Sequence, residues 1–134
     1  MKSGLPYHAL PFRSTMLLRS SVGHSTREDE MYRYRETQQV LYGHFNEFIK
    51  GWQELAVIFR KKGWPEPSVW APTLGVGNDA IVEMDYGDLA SFQKTYEAFQ
   101  ADAEAMKVYR GMAGIIVQGS NRSEIIERVT KPLA

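Results

Sequence analysis

The chain has 134 residues, its 16 basic and 16 acidic side chains cancel, and it contains no cysteine. A length of this order fits one domain with a single core. The balanced charge gives no long-range field to hold nucleic acid or an anionic membrane, so neither is expected as a partner. The lack of cysteine excludes disulfides, thiolate metal sites and cysteine nucleophiles. The longest apolar runs are a few residues, far short of the roughly 20 that cross a bilayer.

Residues 1–27 differ in composition from the rest, because they hold four Lys or Arg residues, five serines and no acidic residue. This composition is typical of an organellar transit peptide and equally of an N-terminal arm. The segment Met16-Leu17-Leu18 could form an extra edge strand in such an arm. We expect residues 1–29 to be an arm, either flexible or an edge strand. We expect a cytoplasmic location, or an organellar one if residues 1–27 are a transit peptide.

The middle of the chain begins with a strand pattern followed by a helix pattern. Residues 31–41 mix aromatic, β-branched and polar types with partial alternation, which predicts a first strand. From His44 an apolar stripe at helical spacing predicts a first helix, which ends at Gly63. Gly51 lies inside this helix, where glycine costs up to about 1 kcal/mol relative to alanine. We therefore expect close packing over that turn.

Two further strands are predicted after the first helix. Residues 68–75 have a strand composition, and Pro72 places this second strand at an edge or a bulge. A glycine-rich turn then leads into a third strand at residues 80–86. Along it, the apolar side chains that alternate with other types are Ala80, Val82, Met84 and Tyr86.

The last part of the chain predicts a second helix and a fourth strand. Asp88 is the predicted N-cap of the helix, whose apolar residues recur at steps of three and four as far as Met106. Residues 112–119 contain an apolar run that predicts the fourth strand. We expect a short last helix at residues 123–129.

This order of elements predicts an α+β, ferredoxin-like βαββαβ fold, in which two helices cover one face of a four-stranded antiparallel sheet. We assign residues 30–120 to this domain and residues 121–134 to a C-terminal tail with the short helix. The helices leave the other sheet face open. We therefore expect a homodimer through this open face, which would form a dimeric α/β barrel.

The open sheet face is predicted to carry charge pairs. The first strand lies between the third and fourth strands in this topology, so Arg33 and Arg35 come across from Glu83 and Asp85. An unpaired buried charge costs several kcal/mol, so these arginines and carboxylates need one another. Glu83 and Asp85 also lie about 7 Å apart at the rise of a strand, which leaves acid–base chemistry open for them.

His44 is the histidine of greatest interest. The three histidines, His8, His24 and His44, are too scattered for a metal-ligand spacing, so no metal site is predicted. His44 starts the first helix, and a helix N-terminus favours the neutral imidazole as a base or ligand. A solvated or capping histidine is the alternative. No nucleophile–base pair is visible, so the sequence gives no support for hydrolysis.

Three passages resemble the dimeric α/β-barrel superfamily. They are YGHFNEFIKGWQELAVIFRKKG at residues 42–63, SVWAPTLG at residues 68–75 and EMDYGDLASFQKTYEAF at residues 83–99. The superfamily includes NIPSNAP-like proteins, antibiotic-biosynthesis-type monooxygenases, EthD-like proteins and muconolactone isomerases, and the passages are most similar to the NIPSNAP-like members. None is a catalytic signature, so the resemblance implies fold far more than function.

The resemblance implies a pocket between helices and sheet. It makes His44 and Tyr34 the candidate catalytic residues, and Trp70, Tyr86 and Arg110 the candidate ligand-pocket residues. Core packing is the alternative role for the aromatic residues. The implied function is a NIPSNAP-like protein that binds a small ligand. The alternative is a cofactor-independent monooxygenase or isomerase acting on a small aromatic or polyketide-like substrate. No cofactor is expected, and haem would require His44 as its axial ligand.

Overall fold

The computed structural model describes residues 30–130. The predicted arm at residues 1–29, its edge strand and the transit peptide lie outside the described residues, as do the last four residues of the predicted tail. The elements in chain order are β1 (Tyr32–Gln39), α1 (Phe45–Lys62), β2 (Ser68–Trp70), β3 (Asp79–Tyr86), α2 (Leu89–Ala101), α3 (Ala103–Gly111), one turn of 3₁₀ helix (Ala113–Ile115) and β4 (Arg122–Glu127).

The four strands form one antiparallel sheet in the order β2-β3-β1-β4. The three helices pack on one face of this sheet, and the core lies between them. The predicted α+β, ferredoxin-like fold is therefore confirmed, with β1 as a central strand. None of the helices within residues 30–130 is long and apolar enough to cross a membrane.

The alternation of side chains along β3 separates the two faces of the sheet. Ala80 and Val82 are fully buried under the helices, whereas Glu83 and Asp85 lie on the open face. The predicted cross-strand pairs are confirmed, because Arg33 Nε lies 2.8 Å from Asp85 Oδ1 and Arg35 Nε lies 2.7 Å from Glu83 Oε2. These side chains are partly exposed, so each pair contributes little to stability and mainly keeps the open face neutral.

The predicted position of the fourth strand was wrong. Residues 112–119 hold the C-cap residue of α3, a 3₁₀ turn and a single bridge between Ile116 and Val40, and the strand lies at Arg122–Glu127. The predicted helix at residues 123–129 was also wrong, and the sheet continues into the segment assigned to the tail. The physical reason is that an edge strand with one face toward solvent needs few apolar residues.

The predicted second helix is two helices, because the chain breaks at Asp102. The backbone of Asp102 is extended, and its side chain accepts a hydrogen bond from the Ala105 N–H at 2.9 Å, which starts α3. That hydrogen bond, and then Lys62 Nζ at 3.0 Å, lower the pKa of Asp102. The predicted second strand is shorter than expected and ends at Trp70, two residues before Pro72.

The close packing expected at Gly51 is present, and Met112 is the residue that fills the space. A Cβ on Gly51 would overlap Met112 Sδ and lie 2.9 Å from its Cγ. Met112 is buried where the chain leaves α3, so Gly51 lets α1 and α3 approach closely.

We expect Gly51→Ala to lower the free energy of unfolding by about 1–2 kcal/mol, because overpacking outweighs the better helix propensity of alanine. In a Met112→Ala background the same change should become neutral or stabilising, since the obstructing side chain is gone. Gly111→Ala is the matched control, because nothing lies within 4 Å of its added Cβ. Urea denaturation of the four variants measures this, and additive effects of Gly51→Ala and Met112→Ala would contradict it.

Candidate functional site

A small cavity lies between the helices and the inner face of the sheet. Its volume is about 30 Å³, enough for one or two water-sized groups. The side chains that line it come from β1, β3 and all three helices, and they are Tyr34, Glu36, Trp52, Phe59, Met84, Tyr86, Phe92, Thr95, Tyr96, Phe99, Gln100 and Tyr109. Most are aromatic, so the cavity is an apolar space with a few polar groups.

Glu36 is the charged residue of this cavity. Its side chain is buried on the inner face of β1, and three donors surround the carboxylate. Tyr109 donates to Oε2 at 2.6 Å and Gln38 donates to the same oxygen at 3.0 Å. The Tyr34 hydroxyl lies 3.4 Å from Oε1, but it also lies 3.2 Å from Ser123 Oγ. A hydroxyl has one proton, so Oε1 is the less satisfied oxygen.

No basic side chain compensates the charge of Glu36, since none of the ion pairs within residues 30–130 includes it. Burial raises the pKa of Glu36 from its ordinary 4.5 to about 6, against the lowering effect of the Tyr109 and Tyr34 hydrogen bonds. Burial also raises the pKa of Tyr34 and Tyr109, and the charge of Glu36 raises both further. Both phenols are therefore neutral donors near neutral pH.

Two buried donors of the cavity have no acceptor. Within the part of the chain that the structure describes, Trp52 Nε1 and Gln100 Nε2 make no hydrogen bond, and both side chains line the cavity. Trp52 comes from α1 and is 3% exposed, while Gln100 is half-buried near the end of α2. A buried donor left unsatisfied costs about 1–3 kcal/mol. Two of the side chains that line the cavity therefore carry an N–H group without an acceptor, and a third carries a carboxylate.

The aromatic side chains give the cavity flat walls. Tyr34 stacks on Phe92 with ring centroids 5.4 Å apart, and Phe92 stacks on Tyr96 at 5.5 Å. On the other side, Tyr109 meets Trp52 and Phe99 edge to face. Stacked and edge-to-face walls of this kind suit a flat, apolar group.

The structure brings two of the five predicted site residues to this cavity, Tyr34 and Tyr86. His44 lies at the exposed start of α1, where Nδ1 contacts Glu47, and Arg110 is exposed on α3. Trp70 lies on the opposite, open face of the sheet. It lines a separate cavity there of about 280 Å³ with Arg33, Glu83, Asp85 and other residues. Functional roles for His44, Trp70 and Arg110 stay predictions.

The residues of the cavity do not suit haem. His44 does not line the cavity, and a space of about 30 Å³ is far smaller than the macrocycle. Within residues 30–130, no group of three or more His, Asp or Glu side chains is placed to hold a metal ion.

Sequence reasoning missed three residues of the cavity, Glu36, Trp52 and Gln100. The signal for Glu36 was present, because the alternation that places Arg33 and Arg35 outward places Glu36 inward. Trp52 is buried at a helical spacing that also fits simple core packing, and its unsatisfied N–H depends on packing between elements. No local pattern distinguishes Gln100 from a solvent-facing glutamine.

The fold and the cavity define an α+β protein of ferredoxin-like topology with an aromatic interior site. No protein-family model matches the sequence, and the comparison with curated proteins finds no match. Solved structures do share the fold, and many of them are NIPSNAP family proteins.

A NIPSNAP-like domain protein from Burkholderia xenovorans is 14% identical with a TM-score of 0.62, over 78% of this chain and 91% of that one. A NIPSNAP family protein of unknown function from Agrobacterium tumefaciens is 13% identical with a TM-score of 0.63, over 75% and 89% of the chains. A candidate antibiotic biosynthesis monooxygenase from Nitrosomonas europaea is 10% identical with a TM-score of 0.56, over 74% and 90%. Likeness at this identity shows the shared fold.

The pKa of Glu36 gives a testable pH dependence. The folded protein keeps the proton up to about pH 6, whereas the unfolded chain releases it near 4.5, so the contribution of Glu36 to stability falls as pH rises through this range. As pH rises from about 4 to about 7, the free energy of unfolding of Glu36→Gln should therefore increase by about 2 kcal/mol relative to that of the wild type. Urea denaturation across this range measures the difference.

Glu54→Gln is the matched control, because Glu54 is exposed on α1. Its difference from the wild type should stay constant across the same pH range. A constant difference for Glu36→Gln as well would contradict the raised pKa of Glu36.

Proposed function

We propose that the protein binds a small, flat ligand with an acceptor oxygen in the interior cavity, and that it works as a homodimer. The single observation that carries the ligand proposal is the pair of buried donors without an acceptor, Trp52 Nε1 and Gln100 Nε2. The proposal needs no cofactor. A cytoplasmic location, with the organellar alternative, belongs to the same proposal.

The chemistry of the ligand follows from the groups that remain unused. Trp52 Nε1 and Gln100 Nε2 donate, so they favour a carbonyl or similar oxygen. The stacked rings around Phe92 favour a planar body, since planar groups fit between aromatic walls. A small planar ketone combines both properties.

The cavity is smaller than such a ligand, so side chains at its rim must move on binding. Two residues on one side of α2, Thr95 and Phe99, line the cavity and are half-buried. Half-buried side chains change rotamer at small cost compared with core residues. Their outward rotation is the proposed entry path, and it would leave the donors of Trp52 and Gln100 in place.

The known structures support the fold on which this proposal rests. The NIPSNAP neighbours are named as proteins of unknown function or as uncharacterised, and they name no ligand. The monooxygenase alternative has one distant neighbour named in that way, and this likeness extends only to the fold.

β-Tetralone and its hydrocarbon counterpart tetralin test the ligand proposal. We expect the ketone to bind about fivefold more tightly, because one neutral hydrogen bond contributes about 1 kcal/mol and the hydrocarbon cannot accept it. NMR titration of the indole N–H signals measures this, and the Trp52 signal should move downfield with the ketone alone. The indole signal of Trp70, which donates to Ser68 Oγ on the open face, is the internal control.

Trp52→Phe keeps an aromatic ring and removes the donor, so its combination with Gln100→Leu should abolish the preference for the ketone. Equal binding of ketone and hydrocarbon by the wild type would contradict the proposal, as would a Trp52 signal that does not respond.

The homodimer proposal rests on the open sheet face. No element within residues 30–130 packs over this face, and it carries exposed apolar side chains, with Trp70 56% and Ile126 40% exposed. Arg33 is paired with Asp85 and Arg35 with Glu83, so a second copy could cover these four charges without leaving them unpaired. Self-complementary faces of this kind favour a closed twofold dimer.

We expect light scattering to give twice the chain mass for the wild type and the single-chain mass for Trp70→Asp, because the new carboxylate would be buried beside Glu83 and Asp85. Leu74→Asp is the control and should remain dimeric, since Leu74 is 93% exposed in the loop before β3. A monomeric wild type, or a dimer that only Leu74→Asp disrupts, would contradict association through the sheet.

A further inference from the structure

Glu36 is a carboxylate in the same cavity as the two unused donors. Three side chains that line the proposed ligand site therefore carry a base and a pair of N–H groups. We propose that Glu36 removes a proton from the carbon next to the carbonyl of the bound ligand, so that the protein catalyses the enolisation of small planar ketones. This inference rests on the proposed ligand site and adds an activity to it.

The geometry selects Oε1 of Glu36 as the atom that takes the proton. Oε2 accepts from Tyr109 at 2.6 Å and from Gln38 at 3.0 Å, so its lone pairs are engaged. Oε1 has Tyr34 as its neighbour at 3.4 Å, and that hydroxyl has a second acceptor, Ser123 Oγ, at 3.2 Å. When Tyr34 donates to Ser123, Oε1 keeps its lone pairs for the ligand.

The step balances within the site. The C–H bond next to the carbonyl breaks, its proton goes to Glu36 Oε1, and its electron pair forms the carbon–carbon double bond of the enolate. The carbonyl electron pair moves to oxygen, where the N–H groups of Trp52 and Gln100 stabilise the negative charge. Glu36 then returns a proton to a carbon of the enolate. Return to the same carbon gives exchange when solvent has first replaced the proton on Oε1, and return to a conjugated carbon shifts a double bond. The step uses no oxidant or reductant.

The groups that face Glu36 keep it suitable for this role. They are the phenols of Tyr34 on β1 and Tyr109 on α3, and burial raises the pKa of both, while Tyr96 on α2 lines the same cavity. Neutral phenols hold the carboxylate without neutralising it. Its pKa of about 6 makes Glu36 a stronger base than an ordinary carboxylate and leaves it mostly ionised near neutral pH.

The test is deuterium incorporation into β-tetralone in deuterium oxide, followed by proton NMR with the full-length protein. The wild type should exchange the protons next to the carbonyl faster than buffer alone. Glu36→Gln should lower the protein-dependent rate about hundredfold or more, because a positioned general base contributes about that much. The rate should rise as Glu36 ionises on going from about pH 5 to about pH 7 and then level off.

Two further variants support the reading of this test. Glu54→Gln, exposed on α1, should leave the rate unchanged. Glu36→Asp should lower the rate and keep the pH profile, because it moves the carboxylate back without removing it. A structural role alone would not preserve such a profile in the aspartate variant.

Every outcome decides between the two proposals. Binding by the wild type and Glu36→Gln, with exchange by the wild type alone, supports both. If the ligand binds but exchange is no faster than in buffer, the proposed role of Glu36 is wrong and the ligand site still stands. The same conclusion follows if Glu36→Gln exchanges as fast as the wild type. An absence of binding in the NMR titration overturns the ligand site and with it this inference.

Discussion

The carboxylate of Glu36 lies inside the protein on a central strand, and no basic side chain within residues 30–130 forms an ion pair with it. The period of a strand causes this isolation, because side chains two residues apart share a face. Arg33 and Arg35 therefore lie on the open face while Tyr34 and Glu36 lie under the helices. A buried carboxylate without a cation needs hydrogen-bond donors. Two phenols and one amide supply them, and one of the phenols, that of Tyr109, comes from α3.

The break between α2 and α3 makes that contact possible. Asp102 leaves the helical conformation for one residue and caps the next helix, so the helical phase restarts at Ala103. Ala103 would lie on the buried stripe of a continuous helix, and in the structure it is exposed, while Tyr109 faces the core. The sequence predicts this break only weakly. No glycine or proline occurs there, and aspartate is common at helix surfaces as well as at caps.

Strong alternation and strong helical stripes were predictable, and the weakly patterned last strand was not. The inward apolar side chains of β3 and the pairing of Arg33 and Arg35 with its carboxylates follow from one parity rule. β4 has Ile125 as its inward apolar residue near the cavity, with Ser123 beside Tyr34, so its composition resembles that of a helix or a tail. The apolar run before it instead packs as a 3₁₀ turn against the core, because packing rather than composition decides the state of a short apolar segment.

The carboxylates on the two faces of the sheet have different partners. On the open face Glu83 and Asp85 of β3 each form an ion pair with an arginine. Under the helices Glu36 has neutral donors, so it is held in position but keeps a high affinity for a proton. A base must be both positioned and able to accept a proton. For that reason the proposed proton transfer involves the carboxylate under the helices rather than the paired carboxylates on the open face.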